Sequence, residues 1–337
     1  SASPDAPGIR ADASRLRVGL AFDVGGRGDA SFNDAAAAGV DRAVAELGVA
    51  RAHVAERTSA QGESEDTKVE RLRQLAATGY PAIVAVGFAY ADAVRTVAAQ
   101  FPATKFAIID AEASAPNVTP LTFAEEQGSF LVGVAAAYLS RTCHIGFVGG
   151  VNSPLIQKFQ AGFVQGARAA APNIAVDVKY LTPAGDVSGF SDPAKANVVS
   201  KGELDGGADV LFAAAGASGK GTFEAVYGAH RSGGADRCAG APPWAIGVDS
   251  DQYRQTNLGP ARTCIVTSMV KRVDVAVFDW LRAVAQGTEQ SLPRVFSLAD
   301  DGVGYSTSGG HVADIAAVLQ AYRAQIISGA IRVSSRP

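Results

Sequence analysis

The sequence predicts an α/β protein made of two doubly wound parallel sheets, and three observations support this fold class. Short apolar runs alternate with helical patterns along nearly the whole chain. The strand-like runs, such as 17–24 and 82–87, are mostly unbroken apolar stretches, which is typical of parallel strands covered on both faces. The order of strand, glycine-rich turn, long helix and strand in 17–50 returns in 144–176, so we expect two similar units.

The first predicted unit begins with the strand-like run at 17–24 and the helical pattern at 33–48. In this helix Val40, Val44 and Leu47 share one face, as side chains that pack on a sheet do. Glycine follows the last apolar residue and suits a C-cap. The remaining predicted elements of this unit are strands at 51–56, 82–87, 105–110 and 117–124 and helices at 67–79 and 91–100.

The second predicted unit repeats this layout from a helical pattern at 128–140 onward. Its further elements are expected at 144–176, 192–207, 208–216, 220–230 and 243–251. After residue 251 the pattern gives a strand, a helix, a strand and a last helix, at 264–270, 274–287, 294–299 and 312–329.

These last elements are too few to form a third domain, so they have to complete the first two units. The chain is then expected to cross between units near 124–128, 266–271 and 298–304. Open α/β sheets bind ligands at the carboxyl ends of their strands, so two such lobes predict a cleft lined by those ends. The predicted domains are a flexible tether at 1–15, lobe 1 at 16–125 plus 268–299, and lobe 2 at 126–267 plus 300–337.

The composition argues against several classes of partner. The net charge is −3 and no long basic run occurs, so neither nucleic acid nor an anionic membrane surface is indicated. No apolar segment of about 18 residues is present to span a bilayer. The opening 1–15 is rich in Ser, Ala and Pro and lacks periodicity. It fits a tether after a removed leader, as in a secreted or lipid-anchored protein, and it fits an ordinary frayed terminus equally well.

The cysteines and histidines do not indicate a metal or catalytic site. No CxxC, HxxxH, HExxH or GxSxG pattern occurs, so we expect no metal, no cofactor and no enzyme. In an exported chain, Cys238 and Cys264 are able to pair and to close a loop that contributes about 3 kcal/mol. Cys143 begins an apolar run and is expected to be a small buried residue.

The stretch FDVGGRGDASFND, residues 22–34, has the glycines of a phosphate-binding loop but not its full pattern. Gly26 and Gly28 fit the first two places of GxGxxG, whereas Ser31 stands at the third and Asp29 is an anion where a phosphate would bind. Dinucleotide binding by an NAD-dependent enzyme is therefore a remote alternative. Phe32, at a strand end, either stacks on a flat ligand or packs under the helix start, and the amide after it can read the edge of a heteroaromatic base.

Other polar residues also follow predicted strands. Asp110, Asp249 and Asp251 stand at strand ends, where carboxylates grip ring N–H groups or a vicinal diol, or else form turns and caps. Lys271 falls where the chain recrosses and either pairs with Asp249 or is simply solvated. The segment 216–222 lacks P-loop spacing and is interpreted as a tight turn whose backbone N–H groups can donate to a hydroxyl.

Together these stretches resemble the BMP (basic membrane protein) family of ABC-transporter substrate-binding lipoproteins, of the purine nucleoside receptor type. The resemblance runs from about residue 16 to the C-terminus and rests on several motifs in the same order. These are VGLAFDVGGRGDASFNDAAAAG, GFAYADAV, FAIID, GFVGG, LIQKFQAGFVQG, FSDPAKA, GVDSDQ and TSMVKRVDVAVF.

The resemblance implies a type I periplasmic-binding-protein fold with three crossovers and a nucleoside site in the interlobe cleft. Phe32 and Phe190 would stack on the two faces of the base, one from each lobe. The remaining roles would be base-edge contacts from Asn33 and Asp110 with Ser31 and Asp23 nearby, a backbone donor at Gly216, and ribose contacts from Asp249 and Lys271.

The resemblance also implies partners and a location. A nucleoside, with purines favoured, and the permease subunits of an ABC importer would be the partners of a monomeric protein anchored by lipid to the outer face of the cell membrane. The insertion around 231–243, which contains Cys238, departs from the family pattern and bears on ligand range. A binding protein for another small ligand, such as a sugar or a signalling molecule, is the alternative.

Overall fold

The computed structural model describes residues 13–337, which divide into two compact units. Unit 1 comprises the described part of 1–29 together with Asn33–Phe123 and Val273–Phe296. Unit 2 comprises Ala30–Phe32, Ala124–Arg272 and Ser297–Pro337. Most of the predicted tether, residues 1–15, lies outside the described residues.

Unit 1 is built on a five-stranded parallel sheet with the strand order β2-β1-β3-β4-β5. All four residues of the central strand β3 are buried, as expected for a strand covered on both faces. The strands are β1 (Val18–Val24), β2 (Val54–Ser59), β3 (Ala82–Ala85), β4 (Lys105–Ile109) and β5 (Val118–Leu121).

Unit 2 is built on a six-stranded sheet with the order β11-β10-β9-β8-β6-β7. Its strands are parallel except for the short last strand, which pairs antiparallel with β10. The strands are β6 (His144–Val151), β7 (Ala175–Thr182), β8 (Val210–Ala214), β9 (Trp244–Asp249), β10 (Ile265–Lys271) and β11 (Val303–Tyr305).

Helices join the strands of both sheets. Several begin with a side-chain cap; for example, the Ser64 and Ser153 hydroxyls accept from backbone N–H groups of the first turn. The helices are α1 (Phe32–Leu47), α2 (Glu65–Ala77), α3 (Ala91–Gln100), α4 (Glu125–Leu139), α5 (Pro154–Ala170), α6 (Pro193–Asp205), α7 (Gly219–Ser232), α8 (Val273–Gln286) and α9 (Ala316–Ser328).

Small residues allow two helices of unit 2 to approach closely. A methyl group added at Gly133, Gly162 or Gly166 would collide with the backbone of the facing helix, so α4 and α5 pack at short range only because these positions lack a side chain. In unit 1, by contrast, aromatic and aliphatic side chains such as Phe106 and Leu72 fill the space between helices and sheet.

The structure differs from the prediction in several places. Residues 268–272, expected in lobe 1, belong to unit 2 because β10 hydrogen-bonds inside that unit's sheet. The predicted strand at 294–299 is reduced to one bridge between Phe296 and Phe123, and the paired strand is β11 instead. Cys143 is exposed, not buried, because it lies with φ 57° in the turn before β6.

The two other cysteines form a disulfide, Cys238–Cys264, which closes a loop of the second unit across a sequence separation of 26. Within the described part of the chain, the helices are all too short or too polar to cross a membrane.

Candidate ligand-binding site at the strand ends

Corresponding strands of the two sheets are followed or ended by residues with positive φ. Gly87 after β3 and Gly216 after β8 have φ values of 111° and 56°. Asp110 after β4 and Asp249 at the end of β9 have φ values of 67° and 69°, which costs a residue with a side chain about 1–2 kcal/mol. Strain retained at matching carboxyl ends of both sheets indicates a functional role there, where open α/β sheets bind ligands.

In unit 1 the amide of Asn33 holds the end of β1. Its Oδ1 accepts from the Asp23 N–H at 3.1 Å, and its Nδ2 donates to the carbonyls of Asp23 and Val24 at 3.2 Å each. The side chain is buried, with 1% of its surface exposed. The Asn33 amide therefore fixes the strand end that carries Asp23, and its contact with a base edge stays a prediction.

The carboxyl of Asp23 is half-buried beside other acids. Burial raises its pKa to about 6, and the negative charges of Asp110 and Asp29 act in the same direction, whereas the Val24 N–H and Lys68 oppose the rise. Asp23 Oδ1 accepts from that N–H at 2.8 Å. Asp23 and Asp110 thus form an acidic face at the ends of β1 and β4.

A glycine makes room for this face. A Cβ added at Gly87 would lie 2.8 Å from Asp23 Oδ2, so only glycine allows the carboxyl to stay where it is. The same residue adopts a left-handed φ, which glycine accepts without strain.

The loop between β1 and α1 is held by hydrogen bonds to its own side chains. Asp29 accepts from the N–H groups of Asn33 at 2.7 Å and Asp34 at 3.1 Å, and Asp34 in turn accepts from the Gly28 N–H at 2.7 Å. These backbone donors are the ones that a dinucleotide loop offers to a phosphate. The carboxylate of Asp29 occupies that place, so the geometry contradicts the dinucleotide alternative.

Arg27 ties the same loop to the body of unit 1. Its Nη2 lies 2.6 Å from Glu56 on β2 and 3.0 Å from Asp41 on α1. Arg51 also contacts Asp41, at 2.8 Å. Because the network is partly exposed, its contribution to the free energy of unfolding is small. It nevertheless fixes the path of the loop.

Phe32 and its neighbours group with unit 2, not with lobe 1 as predicted. The Ala30 carbonyl accepts from the Ser250 hydroxyl at 2.7 Å, and Lys271 Nζ lies 5.4 Å from the centroid of the Phe32 ring. Ser31 is buried, whereas the Phe32 ring keeps part of its surface exposed. The partly exposed ring leaves a surface on which a flat ligand could stack, so the stacking role of Phe32 stays a prediction.

Phe190 is seated on two glycines of unit 2. A Cβ at Gly150 would lie 2.6 Å from its Cδ1, and one at Gly216 would lie 3.4 Å from its Cβ. Ser218 fixes the loop by donating to the Gly189 carbonyl at 2.6 Å and accepting from the Asp192 N–H at 2.7 Å. The Phe190 ring is held in place and remains half-exposed, as a stacking surface has to be.

Asp249 and Lys271 end two neighbouring parallel strands. Asp249 is the register partner of Val270, the residue before the lysine. Gln252 braces this end, because its Oε1 accepts from the Val248 N–H at 2.8 Å. The sequence predicts that the lysine either pairs with Asp249 or is solvated. In the structure Lys271 is buried and its Nζ lies 3.1 Å from Glu125 Oε1.

Glu125, which contacts Lys271 at the end of β10, was not identified from the sequence. It is the first residue of α4 and only 1% of it is exposed. The one signal in the sequence is a pair of glutamates directly after the strand at 117–124, where the chain enters the second unit. Spacing alone does not connect it with a lysine so far along the chain.

Comparison with solved structures defines the class of protein. An ABC transporter system solute-binding protein from Aeropyrum pernix K1 superposes with a TM-score of 0.77 at 27% identity, covering 95% of this chain and 93% of that one. The two α/β lobes, with their strand-end faces, are those of an ABC-transporter solute-binding protein of the type I fold.

The family follows from the sequence as a whole. Residues 17–336 match the Bmp family, ABC transporter substrate-binding protein PnrA-like, and the chain belongs to this family. An ABC transporter nucleoside-binding protein, BmpA, of Lactococcus lactis is 31% identical over 78% of this chain and 73% of its own length. An uncharacterized lipoprotein of Pyrococcus horikoshii is 34% identical over 86% of this chain and 68% of its own length.

Proposed function

We propose that this protein captures nucleosides, with purine nucleosides favoured, for an ABC importer. The observation that carries the proposal is that unit 2 has the partly exposed rings of Phe32 and Phe190, together with Asp249 and the buried Lys271, at the carboxyl ends of its strands. Aromatic surfaces next to a carboxylate and an ammonium suit a ligand with a flat base and a hydroxylated sugar. The nucleoside-binding relative in Lactococcus lactis supports the same ligand class.

The base is the part of the ligand that the two rings would hold. Stacking of a base on an aromatic side chain contributes about 1–3 kcal/mol per ring and tolerates any base. The acidic face of unit 1 would then read the base edge, because Asp110 and Asp23 accept from ring N–H groups. Ser31 adds a hydroxyl beside Phe32. In this proposal a purine is favoured by its large stacking area.

The sugar is the part that Asp249 and Lys271 would hold. A carboxylate and an ammonium at adjacent strand ends can accept from and donate to two neighbouring hydroxyls, and each charge-assisted hydrogen bond contributes about 1.5–3 kcal/mol when both partners are satisfied. The backbone N–H of Gly216, in the turn under Phe190, would supply a further donor.

Phosphorylated ligands are expected to bind poorly. Backbone N–H groups at the N-terminus of α1 already donate to the Asp29 carboxylate. The further carboxylates Asp23, Asp110 and Asp249 repel a dianionic phosphate. A nucleoside lacks that charge and meets no such penalty.

Capture would work by differential affinity. A ligand that binds residues of both units favours the conformation in which both are engaged, and the permease would recognise that conformation. We also propose an extracytoplasmic location with an N-terminal lipid anchor, supported by the lipoprotein relative in Pyrococcus horikoshii.

A thermal-shift panel tests this function. Purified protein is heated with adenosine, inosine, guanosine, uridine, the free bases, the 5′-monophosphates, ribose and other sugars. We expect nucleosides to raise Tm by several degrees at concentrations well above Kd, and purine nucleosides to raise it most. Stabilisation by a free sugar alone, or by AMP as much as by adenosine, would contradict the proposal.

A further inference from the structure

A buried ion cluster lies beside the rings of unit 2. The carboxylate of Glu125 contacts Lys271 Nζ through Oε1 at 3.1 Å and Lys158 Nζ through Oε2 at 3.4 Å. The side chains of Glu125 and Lys271 are 1% and 2% exposed, whereas that of Lys158 is 32% exposed. One buried carboxylate therefore serves two ammonium groups, only one of which reaches solvent.

The lysine at the centre of this cluster is confined by its neighbours. Its Nζ lies 5.4 Å from the centroid of the Phe32 ring and 5.9 Å from that of Phe159. A lysine stem is flexible, and its ammonium keeps one position only when its partners hold it there. Of these three contacts Glu125 is the charged one, and the lysine that it contacts lies beside the Phe32 ring, on which a base would stack.

The Glu125 carboxylate offsets part of the positive charge that Lys271 and Lys158 place in this region. Asp249 stands on the strand next to the lysine and adds a further negative charge. An uncharged ligand leaves these charges as they are. Loss of the Glu125 charge would make the surroundings of Lys271 more positive, which favours an anion.

We propose that Glu125 is a positioning and specificity residue, which holds the Lys271 ammonium in place and cancels its charge so that uncharged nucleosides bind and phosphorylated ones do not. The inference rests on the proposed function, because it assumes that Lys271 contacts the sugar. It adds a role for a residue outside the ligand contacts themselves.

The test compares two affinities in two proteins. The Kd values of adenosine and AMP, or of the best nucleoside in the panel and its 5′-monophosphate, are measured by calorimetry for wild type and Glu125→Gln. We expect the nucleoside to bind about tenfold more weakly or worse, because the lysine loses a buried charged contact. We expect the preference for nucleoside over monophosphate to fall by about tenfold or more.

The neighbouring acid supplies a matched control. Glu126 is the next residue of α4 and is also largely shielded from water, since burial raises the pKa of its carboxyl. Glu126→Gln removes the same charge one residue away from the carboxylate that contacts Lys271. We expect both Kd values of this variant to stay within about twofold of wild type.

A second variant covers the case in which Glu125→Gln does not fold. Glu125→Asp keeps the charge but withdraws it by one methylene, so we expect a nucleoside affinity about threefold to tenfold lower with AMP still rejected. Wild-type nucleoside affinity in Glu125→Asp would overturn the positioning role.

The outcomes separate the two proposals. If wild type binds no nucleoside, the proposed function fails, whatever the variants do. If wild type binds nucleosides and Glu125→Gln keeps both the affinity and the preference, the assignment of Glu125 is wrong while the proposed function stands.

Discussion

The strand-end faces of the two units are built from different chemistry. Unit 1 presents carboxyls, Asp23 and Asp110, at strand ends that Asn33 and a glycine hold in shape. Unit 2 presents the rings of Phe32 and Phe190 and a buried ion pair, Lys271 with Glu125. Corresponding strand ends with positive φ therefore carry different side chains in the two units: carboxylates in unit 1, and aromatic rings with a buried ion pair in unit 2.

The largest expected effect concerns an acid that lies away from both faces. Glu203 on α6 is 3% exposed, and burial, followed by the charge of Asp177, raises its pKa to about 9. The folded protein therefore holds Glu203 neutral where the unfolded chain ionises, so stability is lost as pH rises from the unfolded value of 4.5 toward 9. Glu203→Gln should add on the order of 3 kcal/mol to the free energy of unfolding at pH 7.

Denaturant unfolding at several pH values checks this prediction. The gain of Glu203→Gln should disappear near pH 4, where both states of the wild type are protonated. The nucleoside affinity of the variant should equal that of wild type, because Glu203 is in neither strand-end face. An equal gain at every pH would show that repacking, not ionisation, is responsible.

The next prediction tests whether an aromatic ring of unit 2 stacks on the base. Phe190→Ala should weaken nucleoside binding by about 5-fold to 150-fold, the equivalent of 1–3 kcal/mol for one stacked base. Tyr138→Ala removes a half-exposed aromatic side chain at the end of α4 and should leave Kd unchanged. Calorimetric titration of both variants measures the difference. Unchanged affinity in Phe190→Ala would favour a ligand without a flat ring.

A smaller effect is expected from the acidic face of unit 1. Because the pKa of Asp23 is raised to about 6, its carboxyl takes up a proton between pH 7.5 and 5 and becomes a poorer acceptor for a ring N–H. Nucleoside affinity should fall by about threefold to tenfold over this range. Asp23→Asn should flatten the profile, and an equally steep profile in this variant would assign the titration to another group.

The smallest effect is expected from the ion pairs of Arg27, which fix the loop between β1 and α1. Arg27→Ala breaks partly exposed ion pairs with Glu56 and Asp41, which are worth about 0.2–1 kcal/mol each. We expect a Tm lower by a few degrees and a nucleoside Kd within about threefold of wild type. Arg95→Ala, which breaks an exposed pair within α3, should change neither. A loss of nucleoside affinity beyond tenfold would mean that the loop between β1 and α1 takes part in ligand binding directly.

Most of the fold could be predicted from the sequence because buried parallel strands leave unbroken apolar runs. The errors came where pairing depends on partners far along the chain. Residues 294–299 look apolar enough for a strand, yet only Phe296 pairs, whereas the short run at β11 pairs antiparallel with β10 despite its glycine.

The site was predicted less completely. The sequence placed Asp110 and Asp249 at strand ends and Lys271 at a chain crossover; Asp110 follows β4 of unit 1, whereas Asp249 and Lys271 end the neighbouring strands β9 and β10 of unit 2. The sequence did not show that the Asn33 amide is used by the backbone of β1, or that Lys271 pairs with Glu125. Both facts depend on side-chain contacts that form only in the folded chain.

Titration calorimetry of wild-type protein with a purine nucleoside and its 5′-monophosphate tests most directly the proposal that this protein binds a neutral base with its sugar. We expect a nucleoside Kd of about 1 μM or tighter, equivalent to about −8 kcal/mol, and binding of the monophosphate at least about 100-fold weaker. Equal binding of the two ligands, or no heat from any nucleoside, would contradict it.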